Sequence, residues 1–99
     1  MIINSKKEND VLTVFIDGRL DTNTAPELEN FIENSLENIS ELTFDLTDMS
    51  YTSSAGLRVF LKAQKQMNKQ GKMKLINVQD EVYDVLEVTG FTEILTIER

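Results

Sequence analysis

Ninety-nine residues with no cysteine and no histidine leave room for one domain, and they exclude disulfide scaffolding, thiol catalysis and the usual zinc ligand sets. A net charge of −7 argues against a nucleic-acid binder. No stretch approaches the roughly 20 apolar residues of a membrane helix, and the N-terminal MIINSKKEND has no apolar signal core, so a cytoplasmic location with no membrane partner is expected.

Ile2 to Lys7 is expected to form a first strand, with Asn9-Asp10 as a hairpin turn. DVLTVFIDG, Asp10 to Gly18, alternates Leu12, Val14 and Ile16 against Phe15 and reads as a second strand closed by Asp-Gly. LDTNTAPELENFIENSLENI reads as a loop and then a helix. Thr24 stands where an N-cap belongs, Pro26 lies in the first turn, and Glu27 follows Thr24 at the capping-box spacing. Leu28, Phe31, Ile32, Ser35, Leu36 and Ile39 keep a helical period, with Glu29, Glu33 and Glu37 on the solvent side.

ELTFDLTDMS alternates Leu42, Phe44 and Leu46 and predicts a strand. It runs into DMSYTSSAGLRVF, Asp48 to Phe60, read as a short loop followed by a helix from Ser54 to Gln70. Leu57, Phe60, Leu61, Gln64 and Met67 make the buried face of that helix. Arg58, Lys62, Lys65 and Lys69 form one exposed stripe, and Gly71 is the stop. KMKLINV is a short strand. DEVYDVLEVTG is a helix capped by Asp80 and ended by Gly90, and Ile94 to Ile97 offers a final strand. The order β-β-α-β-α-β-α-β predicts an α/β fold over residues 1–99 as a single domain. Two βα crossovers imply parallel pairing in a central sheet, and three amphipathic helices cover it.

Charge is unevenly spread. Between Met49 and Gln79 there is no acidic residue, and the same interval holds Arg58, Lys62, Lys65, Lys69, Lys72 and Lys74. Ser53 and Ser54 stand at the head of this interval. A serine there is an ordinary helix cap, contributing about 1 kcal/mol. The same geometry suits an anion, because the exposed N–H groups and the helix dipole favour negative charge. A phosphoryl group at that place adds roughly −1.5 to −2 charges, and Ala55 and Gly56 keep the loop narrow enough for another protein's active site to approach. No Ser-His arrangement is available, and acids such as Asp48 and Asp21 ordinarily cap or solvate. The four glycines are isolated, unlike a phosphate-cradling loop. The chain therefore reads as a substrate of another enzyme's chemistry, with no catalytic residue, cofactor or metal of its own.

Three segments carry a resemblance over nearly the whole chain: FIDGRLDTNTAPEL, LTFDLTDMSYTSSAGLRVFL and GKMKLINVQDEVYDVLEVTGFTEILTI. In this order and spacing they resemble the STAS domain family, specifically the stand-alone bacterial anti-sigma factor antagonists. The resemblance implies a STAS-like mixed β-sheet with about three helices. It also implies a partner-switching role. The unphosphorylated protein binds an anti-sigma factor that is also a serine kinase, and sigma is released. Phosphorylation ends that binding, and a metal-dependent serine phosphatase reverses it. Carried over by alignment, the phosphoacceptor is Ser54. Ser53 takes the place where relatives often keep an acid and is read as the cap, and Ala55 replaces a second hydroxyl. Asp21 matches the family's acid in the loop before the first helix, beside the Ser54 loop. The implied partner surface comprises Asp21, Thr22, Asn23, Ser53, Ala55, Gly56, Arg58 and Lys62, on a protein that is monomeric when free. Two rival readings keep the fold: a phospho-switch feeding a non-sigma output, and a small-ligand or nucleotide-binding STAS domain.

Overall fold

The strand β2 (Val11–Leu20) organises the molecule. Its alternation buries Leu12, Val14 and Ile16 and leaves Phe15 in solvent, as its sequence predicts. The structure, a computed structural model, describes residues 1–99. In chain order the other elements are β1 (Ile2–Glu8), α1 (Ala25–Glu33), β3 (Glu41–Asp45), β4 (Met49–Thr52), α2 (Ser54–Gln70), β5 (Lys72–Ile76), α3 (Asp80–Val88), a 3₁₀ turn (Phe91–Glu93) and β6 (Ile97–Glu98). The sheet order is β1-β2-β3-β5-β6, with β4 paired to the far end of β2. β1 and β2 are an antiparallel hairpin turned at Asn9-Asp10, and every other pairing is parallel. This is the mixed α/β sheet with three helices that the pattern implies.

One face of the sheet is apolar. Leu12, Val14, Ile16, Leu42, Phe44, Met73 and Leu75 join Leu28 and Ile32 of α1, Leu57, Phe60 and Met67 of α2, and Val82 and Leu86 of α3 in one core. Phe44 and Phe60 meet edge to face at 5.0 Å, the geometry that aromatic quadrupoles favour. The opposite face carries Thr13, Phe15, Thr43, Asp45 and Lys74, and it is open or half-open to solvent.

Besides the helix caps (Gln79, not Asp80, stands at the N-cap of α3), three elements depart from the sequence expectation. The first is β4, in a stretch read as loop. Met49 and Thr52 are buried while Ser50 and Tyr51 are exposed, so no period of two marks it as a strand. It exists because β2 changes partner along its length. Val11–Phe15 pair with β3, and Gly18–Leu20 pair with β4 across a register shift at Gly18/Arg19. Gly18 holds φ +105, a conformation that suits glycine at such a bulge.

The second departure is the end of α1. The helix stops at Glu33, although Leu36 and Ile39 are buried as the helical period implies. Asn34 Nδ2 donates to Asn30 O at 2.8 Å and Ser35 Oγ donates to Phe31 O at 2.6 Å. These side chains take carbonyls near the helix end, and Asn38 adopts a positive φ of 65°. The third is the C-terminal strand, which is only Ile97–Glu98. It is expected from Ile94, but residues 94–96 lie outside it, following the 3₁₀ turn, and Ile94 is exposed.

Candidate functional site

β2 and β4 run parallel and end side by side, with the Ser53 N–H donating to Leu20 O at 3.0 Å. Two loops therefore leave the same end of the sheet. One runs from Asp21 to Thr24 into α1, and the other is Ser53 leading into α2. The carboxyl ends of parallel strands are the usual position for functional groups in open α/β sheets.

Gly56 makes this closeness possible. It is buried in the first turn of α2, and a Cβ there would fall 2.7 Å from Leu20 Cγ and nearer still to Thr52 Oγ1. Only a bare backbone lets the start of α2 rest on the ends of both strands. The first helical hydrogen bond runs from Leu57 N–H to Ser53 O at 3.1 Å. The N–H groups of Ser54, Ala55 and Gly56 thus lie outside the helical ladder at the positive end of its dipole. Ser54 is the first residue of the helix and is exposed.

Ser53 occupies the N-cap position, with φ −105 and ψ 178, but its side chain makes no capping bond. Its hydroxyl is buried without a hydrogen-bond partner. The expectation that Ser53 caps through its side chain is corrected: the backbone takes the cap geometry while Oγ faces inward.

The same correction applies to Thr24. It stands at the N-cap of α1, yet its hydroxyl makes no capping bond to the helix. Thr24 Oγ1 donates instead to Arg19 O at 2.8 Å and accepts from the Asp21 N–H at 2.9 Å. Asp21 orders this loop. Its Oδ1 accepts from the N–H groups of Asn23 and Thr24 at 3.0 and 3.2 Å, and its carbonyl accepts from Ala25 N–H at 2.8 Å. Loss of solvent pushes the Asp21 carboxyl up. The hydrogen bonds from Thr24 and Asn23, together with the charge of Arg19, outweigh that and hold it below its ordinary 3.8.

Arg19 and Tyr51 complete the surface. They are partners across β2 and β4, and the guanidinium lies 4.1 Å from the centre of the Tyr51 ring while its Nε sits 3.7 Å from Asp21 Oδ2. Sequence reasoning missed both residues, because without β4 nothing places Tyr51 opposite Arg19. Thr22 and Asn23 are exposed beside them. A groove of about 260 Å³ separates the starts of the two helices, with Thr22 and Pro26 on one wall and Ala55 and Arg58 on the other. A larger groove, about 480 Å³, lies further along the α1–α2 seam by Glu33, Lys65 and Lys69, and includes neither Ser54 nor Asp21.

The basic stripe divides in two. Lys62 reaches Glu29 Oε1 and Glu33 Oε1, both at 2.8 Å, and these carboxylates raise its pKa above the ordinary 10.5. Its charge is spent fastening α2 to α1. Arg58, Lys65 and Lys69 are exposed and make no ion pair. No three carboxylates converge on a point where a cation would sit, and no helix is long and apolar enough to cross a membrane.

Residues 3–99 match the model of the STAS domain family. The chain is 31% identical over 98 residues to the anti-sigma-B factor antagonist of Listeria monocytogenes, covering 95% of this chain and 84% of that protein. It is 34% identical over 93 residues to the anti-sigma-B factor antagonist of Bacillus subtilis, covering 93% and 84%. Its fold is similar to that of the anti-sigma factor antagonist SpoIIAA in its unphosphorylated form and of the Bacillus cell fate determinant SpoIIAA in the phosphorylated form. The TM-scores are 0.78 and 0.76, at 12% and 13% identity, over 99% of this chain and 88% and 92% of those. A parallel-strand end carrying an exposed serine at a helix start, a family model spanning almost every residue and relatives above 30% identity agree: the chain belongs to the STAS domain family, among the anti-sigma factor antagonists.

Proposed function

We propose that this chain is an anti-sigma factor antagonist that works by partner switching, with Ser54 as its switch. The observation that carries the reading is the position of Ser54: exposed, first in α2, and on the same sheet end as the Asp21 loop. The unphosphorylated protein binds an anti-sigma factor through Asp21, Thr22 and Asn23 on one loop and Ala55 and Arg58 beside Ser54 on the other, and sigma is freed; Gly56 and the Ser53 hydroxyl, expected on this surface, are buried and instead seat the start of α2. Lys62 supports this surface by holding α1 against α2.

The anti-sigma factor is also the kinase. The Ser54 hydroxyl gives up its proton and bonds to the γ-phosphorus of ATP, and ADP leaves from that kinase's site. The new dianion is tolerated by the domain, because it sits at the positive end of α2. It is not tolerated by the partner, whose surface was shaped around a neutral hydroxyl, and desolvating unmatched charge in an interface is costly. A metal-dependent serine phosphatase restores the hydroxyl. The chain contributes position and shape rather than catalysis, and it acts in the cytoplasm.

The test is mass spectrometry after incubation with the cognate anti-sigma factor and ATP. One phosphate on the peptide bearing Ser54, and none on Ser54→Ala, is the expected result. No added phosphate, or phosphate still acquired by Ser54→Ala, overturns the assignment.

A further inference from the structure

Arg58 makes no polar contact that holds the fold together. It is exposed, it makes no hydrogen bond or ion pair to another side chain, and its neighbour in the groove, Glu29, is already bound by Lys62. It stands four residues after Ser54 on the same helix. Residues so spaced share a face, with about 5–6 Å between their Cβ atoms. Helical side chains lean toward the N-terminus, so a long side chain at Arg58 reaches back over the turn that begins at Ser54.

The surroundings of Ser54 favour this pairing. No acidic residue lies between Met49 and Gln79, so nothing on its own strand, loop or helix repels a phosphate. Two carboxylates of the neighbouring loop and helix, Asp21 and Glu29, are engaged. Asp21 is held by the Asn23 and Thr24 N–H groups and by Arg19, and Glu29 by Lys62. A guanidinium presents a planar fork that matches two phosphate oxygens at once.

We propose that Arg58 is the protein's own ligand for the phosphoryl group on Ser54. Modification at one residue then changes two. The hydroxyl becomes a dianion, and the free guanidinium of Arg58 turns back onto it and is withdrawn from the partner surface. This rests on the reading of Ser54 as the phosphoacceptor, and it deepens that reading by naming what holds the product.

The test uses the full chain with phosphoserine installed at position 54 during translation, so no kinase is needed. Phosphorus NMR follows the second ionisation of the phosphate, ordinarily near pH 6, in the otherwise native protein, in Arg58→Gln and in Lys65→Gln. With Arg58 present the phosphate pKa is expected to be about 0.3 lower than in Arg58→Gln, a twofold change in the proton dissociation constant. Lys65→Gln, which removes an equal charge further along the helix, is expected to leave it nearly unmoved. Equal values in the native and Arg58→Gln proteins overturn the pairing. So does an equal rise in Lys65→Gln, which would mark a general field rather than a contact. Failure of the switch reading shows instead as unphosphorylated Ser54 in the kinase assay, so the two failures are distinct.

Discussion

The two residues that matter most at the sheet end, Asp21 and Ser54, differ in how far their own sequence reveals them. Asp21 reads from the sequence as an acid in a loop, and in the structure it orders that loop. The Thr-x-x-Glu spacing points to Thr24 as the cap, whereas the Asp21 carboxylate receives the N–H groups of Asn23 and Thr24. A capping hydroxyl at Thr24 would accept from N–H groups further into the helix, but the Glu27 N–H donates to the Thr24 carbonyl instead, and the charged Asp21 carboxylate orders the loop ahead of it. Its lowered pKa has a signed consequence. A carboxyl that ionises more readily when folded contributes stability above its unfolded pKa, and this is lost as pH falls through the folded value. The stability difference between the native protein and Asp21→Ala is therefore expected to be constant at neutral pH and to shrink below the ordinary aspartate value of 3.8. Denaturant titrations across the acid range check this, and a gap that widens on acidification would contradict it. Ser53 and Ser54 cannot be told apart as caps by residue type. The backbone separates them, turning Ser53 inward and leaving Ser54 exposed.

At the scale of elements, Gly56 is the joint on which the site depends. Adding one methyl drives it into Leu20 and Thr52, both fully buried, and overpacking of this kind costs typically about 1–3 kcal/mol. Gly56→Ala is expected to lose stability in that range by chemical denaturation, although alanine favours helices; unchanged or increased stability would contradict the contact. The sequence made most of this architecture legible, because strands β2 and β3 alternate cleanly and α2 keeps its period over seventeen residues. It hid β4, whose four residues are too few to show a period and whose pairing depends on a bulge at Gly18. It also overextended α1, because a buried turn can place Leu36 and Ile39 in the core as well as a helix can. With β4 unseen, the Arg19–Tyr51 pair was out of reach, whereas Arg58 and Lys62 were visible from spacing alone. Their different employment appeared only once α1 lay beside α2, bringing Glu29 and Glu33 to Lys62.

The whole molecule is acidic, at −7, yet presents a run without acids from Met49 to Gln79. Lys65 and Lys69 on that run are exposed and unpaired, so their effect is long-range rather than structural. Replacing both with glutamine is expected to slow association with an acidic anti-sigma surface about two- to tenfold at low salt, with little change in dissociation. Stopped-flow binding at rising ionic strength checks it, since the difference should fade as the Debye length shortens; a difference that persists at high salt would contradict a steering role. In the proposed switch, a charge added at Ser54 would enter this same field, with its main effect local, at the end of two strands and the start of α2. The measurement closest to that claim is calorimetric binding of the cognate anti-sigma factor to unphosphorylated and Ser54-phosphorylated protein, in parallel. Phosphorylation is predicted to weaken binding at least tenfold, about 1.4 kcal/mol or more. Equal affinity for the two forms would contradict the account.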